Sequence, residues 1–127
     1  MAMLEVGTVL GPDPASEVVA AFQGVQRQLV LRKIHYMANL RTHSADVAFE
    51  FEEASDGTQV RLDLIGCRVC KIETDAAASM GIVLQFEDVT SWQMENIRYR
   101  MSNWEQDVDI DIQCGEAYLS VPAAGSA

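Results

Sequence analysis

The chain is short of several things at once, and each shortage removes a class of protein. Cysteine occurs three times in 127 residues, an odd and small number that rules out a disulfide scaffold and suits a reducing compartment. No apolar run approaches the ~20 residues that a membrane-crossing helix needs. The opening MAMLEVGTVLGPDP has no basic leader followed by an apolar stretch, so the expected location is cytoplasmic. Cations are scarce too: nine Lys and Arg stand against nineteen Asp and Glu, a formal charge of −10. Such a balance repels phosphate backbones and acidic membrane surfaces, which argues against nucleic acid and lipid as partners and favours a basic protein.

What is present describes one folded domain over residues 1–127. About half the residues are apolar and 22% are charged, a globular composition of ordinary domain size. The tail at 122–127, PAAGSA, has little to pack and is expected to fray.

Periodicity points to a mainly β (α+β) fold with one short N-terminal helix. In GPDPASEVVAAFQG, Asp13 is placed to cap a helix of about ten residues, Pro14 to start it, Glu17 to complement its dipole and Gly24 to end it. From residue 45 onward apolar side chains recur at every second position. ADVAFEFEE sets Val47, Phe49 and Phe51 against Glu50 and Glu52, ASDG makes a turn, and TQVRLDLIG returns with Val60, Leu62 and Leu64 inward. Residues 46–65 therefore read as a β-hairpin. IVLQFED gives a further strand, as does DVDIDIQC, where Val108, Ile110, Ile112 and Cys114 alternate with Asp107, Asp109, Asp111 and Gln113; EAYLSVP, after a glycine, closes the set. In QRQLVLRKIHYM neither period holds throughout, but Leu29 with Leu31 and Ile34 with Tyr36 form two strand pieces across a bulge. DAAASMG at 75–81 and NWEQ at 103–106 are loops. Short strands at this spacing make an antiparallel sandwich or a strongly curved sheet.

The motif with the most chemistry in it is CRVC, Cys67 to Cys70. A structural zinc needs four ligands, usually from two close pairs, and there is one pair, with Cys114, His35 or His43 to complete it. Thioredoxin-type redox work needs the pair at a helix N-terminus, whereas LIGCRVCKIET has β pattern on both sides. Residues three apart on a regular strand point to opposite faces, so the expectation is structural thiols and no metal; a bulge at Gly66 would reopen the question. DVDIDI lacks the glycine and the bidentate acid of a calcium loop, so it is expected to hold no metal either. There is no GxSxG, no glycine-rich phosphate loop and no HExxH. His35 and His43 have no partner that spacing alone identifies, and the chain is read as no enzyme.

Charge order says more. Residues 18–45 hold four cations and no acid, while 46–56 and 105–116 each hold five acids and no cation. Asp and Glu are disfavoured in strands, so an acidic strand face serves either solubility or recognition. The aromatic residues Trp92, Tyr99 and Trp104 flank the late acidic strand, and acids around aromatic anchors suit a basic partner. The candidate partner-binding residues are Glu50, Glu52, Asp107, Asp109, Asp111 and Trp104.

FQGV at 22–25, IVLQFEDV at 82–89 followed by WQMENI, and the late acidic strand with its closing partner resemble the bacterial immunity proteins of polymorphic toxin systems, particularly the family called immunity protein 50. Gln23 and Gly24 stand where that entry motif commonly has histidine and aspartate. The resemblance implies a non-catalytic inhibitor, needing no cofactor, that blocks a basic toxin domain in the same cell. Three alternatives remain open beside it: a small-ligand or enzymatic β domain with His35 and a carboxylate inside the curved sheet, a metal module on Cys67 and Cys70, and a scaffold or homodimer subunit.

Overall fold

A computed structural model describes residues 7–74, 84–103 and 108–122. The elements are β1 (Val9–Leu10), α1 (Ala15–Val25), β2 (Leu29–Asn39), β3 (Ser44–Glu53), β4 (Gln59–Thr74), β5 (Gln85–Asp88), β6 (Tyr99–Asn103) and β7 (Val108–Ser120). They make a seven-stranded antiparallel sheet of order β2-β3-β4-β7-β6-β5, with β1 beside β7. The mainly β expectation holds, with a single sheet rather than a sandwich.

The core lies on one side of the sheet, under α1. Phe22 from the helix packs against Phe51 and edge-on to Phe86, with ring centroids 5.6 Å apart in both cases. Phe86 stacks on Tyr99 at 5.7 Å. Helical spacing brings Ala15, Val18, Val19, Phe22 and Val25 onto this face, and period two brings Phe49, Leu62, Leu64, Met101, Ile110, Ile112 and Leu119 up from the strands. Two side-chain bonds fix the helix to β5 and its approach: Gln23 donates to the Phe86 carbonyl at 2.8 Å, and Gln26 accepts from the Leu84 N–H at 3.1 Å.

The helix start differs from expectation. Pro14 occupies the cap position and no side chain caps the helix, because Asp13 is held by Arg98 in an ion pair. The end differs as well, since Gly24 lies inside the helix and the chain continues into a 3-10 turn at Gln26–Gln28.

The bulge in β2 falls where the two apolar pairs demand it. Leu31 pairs with Phe51 and Lys33 with Glu50, leaving Arg32 as the extra residue. That slip keeps Leu29, Leu31, Ile34 and Tyr36 on the core side. The 46–65 hairpin is also present, as β3 and β4, its turn held by Glu53, which accepts from the N–H groups of Ser55 and Asp56 at 3.2 Å each.

Two strands escaped the sequence reading, β1 and β6, and two that were read as separate are one. β7 runs through Gly115 without a break, and a side chain there would put its Cβ 2.9 Å from the Asn96 carbonyl oxygen. Glycine serves close packing rather than a turn. Ile82, the 75–81 loop, Trp104 through Asp107 and residues 123–127 lie outside the described residues.

Tyr99 is fully buried, donates its hydroxyl hydrogen to the Pro12 carbonyl, and has its pKa pushed up to about 12, chiefly by burial. In the unfolded chain it ionises near its ordinary value of 10.0. Between those values the folded state holds a proton that the unfolded state has released, so stability falls as pH rises from about 10 toward 12. Urea midpoints measured across that window are expected to drop, and the drop should shrink in Tyr99→Phe; equal slopes in both proteins would assign the loss elsewhere.

Candidate functional site

Alternation sends Glu50 and Glu52 of β3, Asp63 of β4 and Asp109 and Asp111 of β7 to the side of the sheet away from α1. The candidate acids share the outer side but form two separate groups: Glu50 and Glu52 lie beside Arg61 and Gln59 at the start of β4, Asp109 and Asp111 beside Glu73 and Lys71 at its end. Asp107 and Trp104 fall outside the described residues.

These carboxylates are not bare. Arg32 approaches Glu52 at 3.8 Å, Arg61 bridges Glu50 at 3.6 Å and Asp63 at 3.0 Å, Lys71 meets Asp109 at 2.6 Å and Arg100 meets Asp111 at 3.3 Å. Each pair except Arg61 with Asp63 joins different strands, so the face is a ladder of cross-strand ion pairs. The Asp109 carboxylate, by hydrogen bond first and charge second, raises the Lys71 pKa. Carboxylates still outnumber cations here: among the described residues Glu73, Glu87 and Glu116 share the face without a salt bridge of their own, Glu73 adding its charge to the field on Lys71. Glu116 accepts from the Tyr118 hydroxyl at 2.7 Å, which raises that phenol's pKa.

His35 and a carboxylate do come together, but on this outer face. The imidazole Nε2 meets Glu50, and a shallow depression beside it is lined by Tyr36, Met37, Asp46, Ala48, Arg61 and Asp63. The interior placement considered from the sequence is therefore corrected: Ile34 and Tyr36 take the core-side positions, and His35 between them must face out.

The cysteine geometry also needs correcting. Cys67 pairs with Cys114 and Val69 with Gln113, so Arg68 is an extra residue. That bulge turns Cys67 and Cys70 to the same, core-facing side, where a regular strand would have separated them. All three thiols are free. Cys67 and Cys114 are buried; a hydrogen bond with Cys67 and then burial drive the Cys114 pKa strongly up, and burial raises that of Cys70. Protonated thiols are poor nucleophiles and poor ligands. Among the described residues no group of three His, Cys, Asp or Glu is placed to hold a metal ion, and no helix is long and apolar enough to cross a membrane.

Sequence reasoning missed Lys71 and Arg100 as members of this face, because they pair with acids through register, which local pattern does not reveal. Comparison with known proteins finds no family model, no curated protein and no solved structure that the chain matches.

Proposed function

We propose that the chain is a non-catalytic binding protein that meets a basic protein partner with the carboxylate-rich outer face of its sheet, and that it acts as an immunity protein against a basic toxin domain. The observation that carries this reading is the outer face itself. It carries one acidic cluster where β3 meets the start of β4 and a second where β7 meets the end of β4, each with carboxylates beside the cations that hold them in place. Cross-strand pairing fixes these side chains in position, which lowers the entropy lost when a partner docks. The remaining negative field steers a basic surface toward them.

Asp109→Lys with Asp111→Lys is expected to slow association by about tenfold or more at low salt, with a smaller difference at high salt. The measurement is stopped-flow binding to the protein that copurifies with the tagged chain from its source cells. Because the new lysines would face Lys71 and Arg100, circular dichroism must first show both proteins equally folded. An unchanged association rate would remove this face from the contact.

A further inference from the structure

β2 is an eleven-residue strand at the sheet margin, paired on one side with β3 and on the other with nothing among the described residues. A row of backbone donors and acceptors along such a margin is a template for another strand, and margins are usually guarded by charge, proline or shortness. The opposite margin, β5, is guarded by shortness, at four residues. β2 carries Arg32 and Lys33 before its midpoint, then runs from Ile34 to Asn39 with no Lys, Arg, Asp, Glu or Pro. Tyr36 is 60% exposed and Met37 71%, and Leu40 just beyond is 85% exposed.

Two further observations define what would fit. The first is a depression on the core side of the sheet, lined by Ile34 and Tyr36 of β2 with Cys70 and Ile72 from the far half of β4. It is apolar and lies beside the free margin, where every second side chain of an added strand would point. The second is charge. Among the described residues, Arg27, Lys33 and Arg41 have no carboxylate partner, and Arg68 donates to the Thr42 carbonyl in the turn after β2 at 3.0 Å. In a chain of net charge −10, these cations flank the uncharged 34–39 stretch, Arg27 and Lys33 before it, Arg41 after it, and Arg68 of β4 against the turn that follows.

We propose that the β2 margin is a second binding surface, which takes an extended segment of a partner protein as an added strand, apolar along its middle and carrying carboxylates at both ends. Backbone bonds to residues 34–39 supply the affinity, the Ile34–Tyr36–Cys70–Ile72 depression selects an apolar side chain, and Lys33 and Arg41 select the acidic ends. A second copy of this chain is a poorer occupant. Antiparallel pairing about Tyr36 would set Arg32 against Leu40 and Lys33 against Asn39, so no cation meets a carboxylate, and two strongly negative bodies would be brought together. This surface is opposite to the outer face in sign and meets it at Lys33, whose register partner is Glu50; its own contacts are the strand margin and the core-side depression, so it stands or falls separately.

The test uses the full chain and a labelled synthetic peptide of alternating valine and threonine with two glutamates at each end, followed by fluorescence anisotropy at low salt. Saturable binding is expected, with affinity at least about tenfold lower for the same peptide ended in lysines and for Lys33→Glu with Arg41→Glu. Strand donors alternate in direction, so one of Met37→Pro and Ala38→Pro spares the β3 pairing. The one that stays folded by circular dichroism should abolish binding. No binding, equal binding of both peptides, or binding unchanged in the folded proline variant would overturn the proposal. So would self-association of the chain in sedimentation that the same proline variant removes, which would give the margin to a second copy.

Discussion

Phe22→Ala should lower the free energy of unfolding by about 3–5 kcal/mol, the usual range for removing a fully buried aromatic ring. The side chain has no exposure at all and touches rings on both halves of the sheet, Phe51 of β3 and Phe86 of β5. Those strands belong to opposite ends of the strand order, so the helix is their only common neighbour in this aromatic cluster. Losing the ring removes its transfer energy, leaves a cavity that neither strand can collapse into, and gives up two tilted or edge-on aromatic contacts. Urea unfolding gives the value directly. Phe22→Leu, which keeps most of the volume, should lose much less. A loss below about 1 kcal/mol for the alanine variant would mean that α1 is not anchored here.

Gly11→Ala should destabilise by about 2–4 kcal/mol, combining strain with overpacking. Gly11 has φ of +125°, and a Cβ built on it would stand 2.2 Å from the Ala117 carbonyl oxygen. Neither problem has a soft solution, because the clashing atom is backbone in the central strand β7. The segment that would have to move carries Asp13, paired with Arg98, and Pro12, whose carbonyl accepts from Tyr99. A thermal or urea midpoint matching the parent would show that the chain has room for a side chain at this crossing. Gly57→Ala is the control, with positive φ but open space around it, and its cost should be strain alone, about 1 kcal/mol.

Much of this fold was legible in the sequence, and the parts that were not share one cause. The β3–β4 hairpin and the β2 bulge follow from local alternation, because Leu29, Leu31, Ile34 and Tyr36 can share a side only if one residue is skipped. Cys67 and Cys70 needed the same trick, but CRVC has only four residues and one skip in it looks identical to none. YRMSN was overlooked because its outward residues, Arg100 and Ser102, give only two beats of alternation, and Val9–Leu10 because two residues have no period. The acids of the outer face were visible as a stripe, while their neutralisation was not: Lys71 faces Asp109 and Arg100 faces Asp111 only through register between β4, β6 and β7. Asp13 read as a helix cap because capping is local; Arg98, which took it instead, is 85 residues away.

The strand order fixes a sequence of events during synthesis. β7 lies between β4 and β6 and also pairs with β1, yet it is the last described strand to leave the ribosome. Until it emerges, the β2–β3–β4 hairpins can form while the sixteen residues of β4 have only one of their two neighbours, and β5–β6 have nothing to join. The two halves therefore become one body only when synthesis of residues 108–120 is complete, and a growing chain presents its longest unsatisfied strand for most of that time.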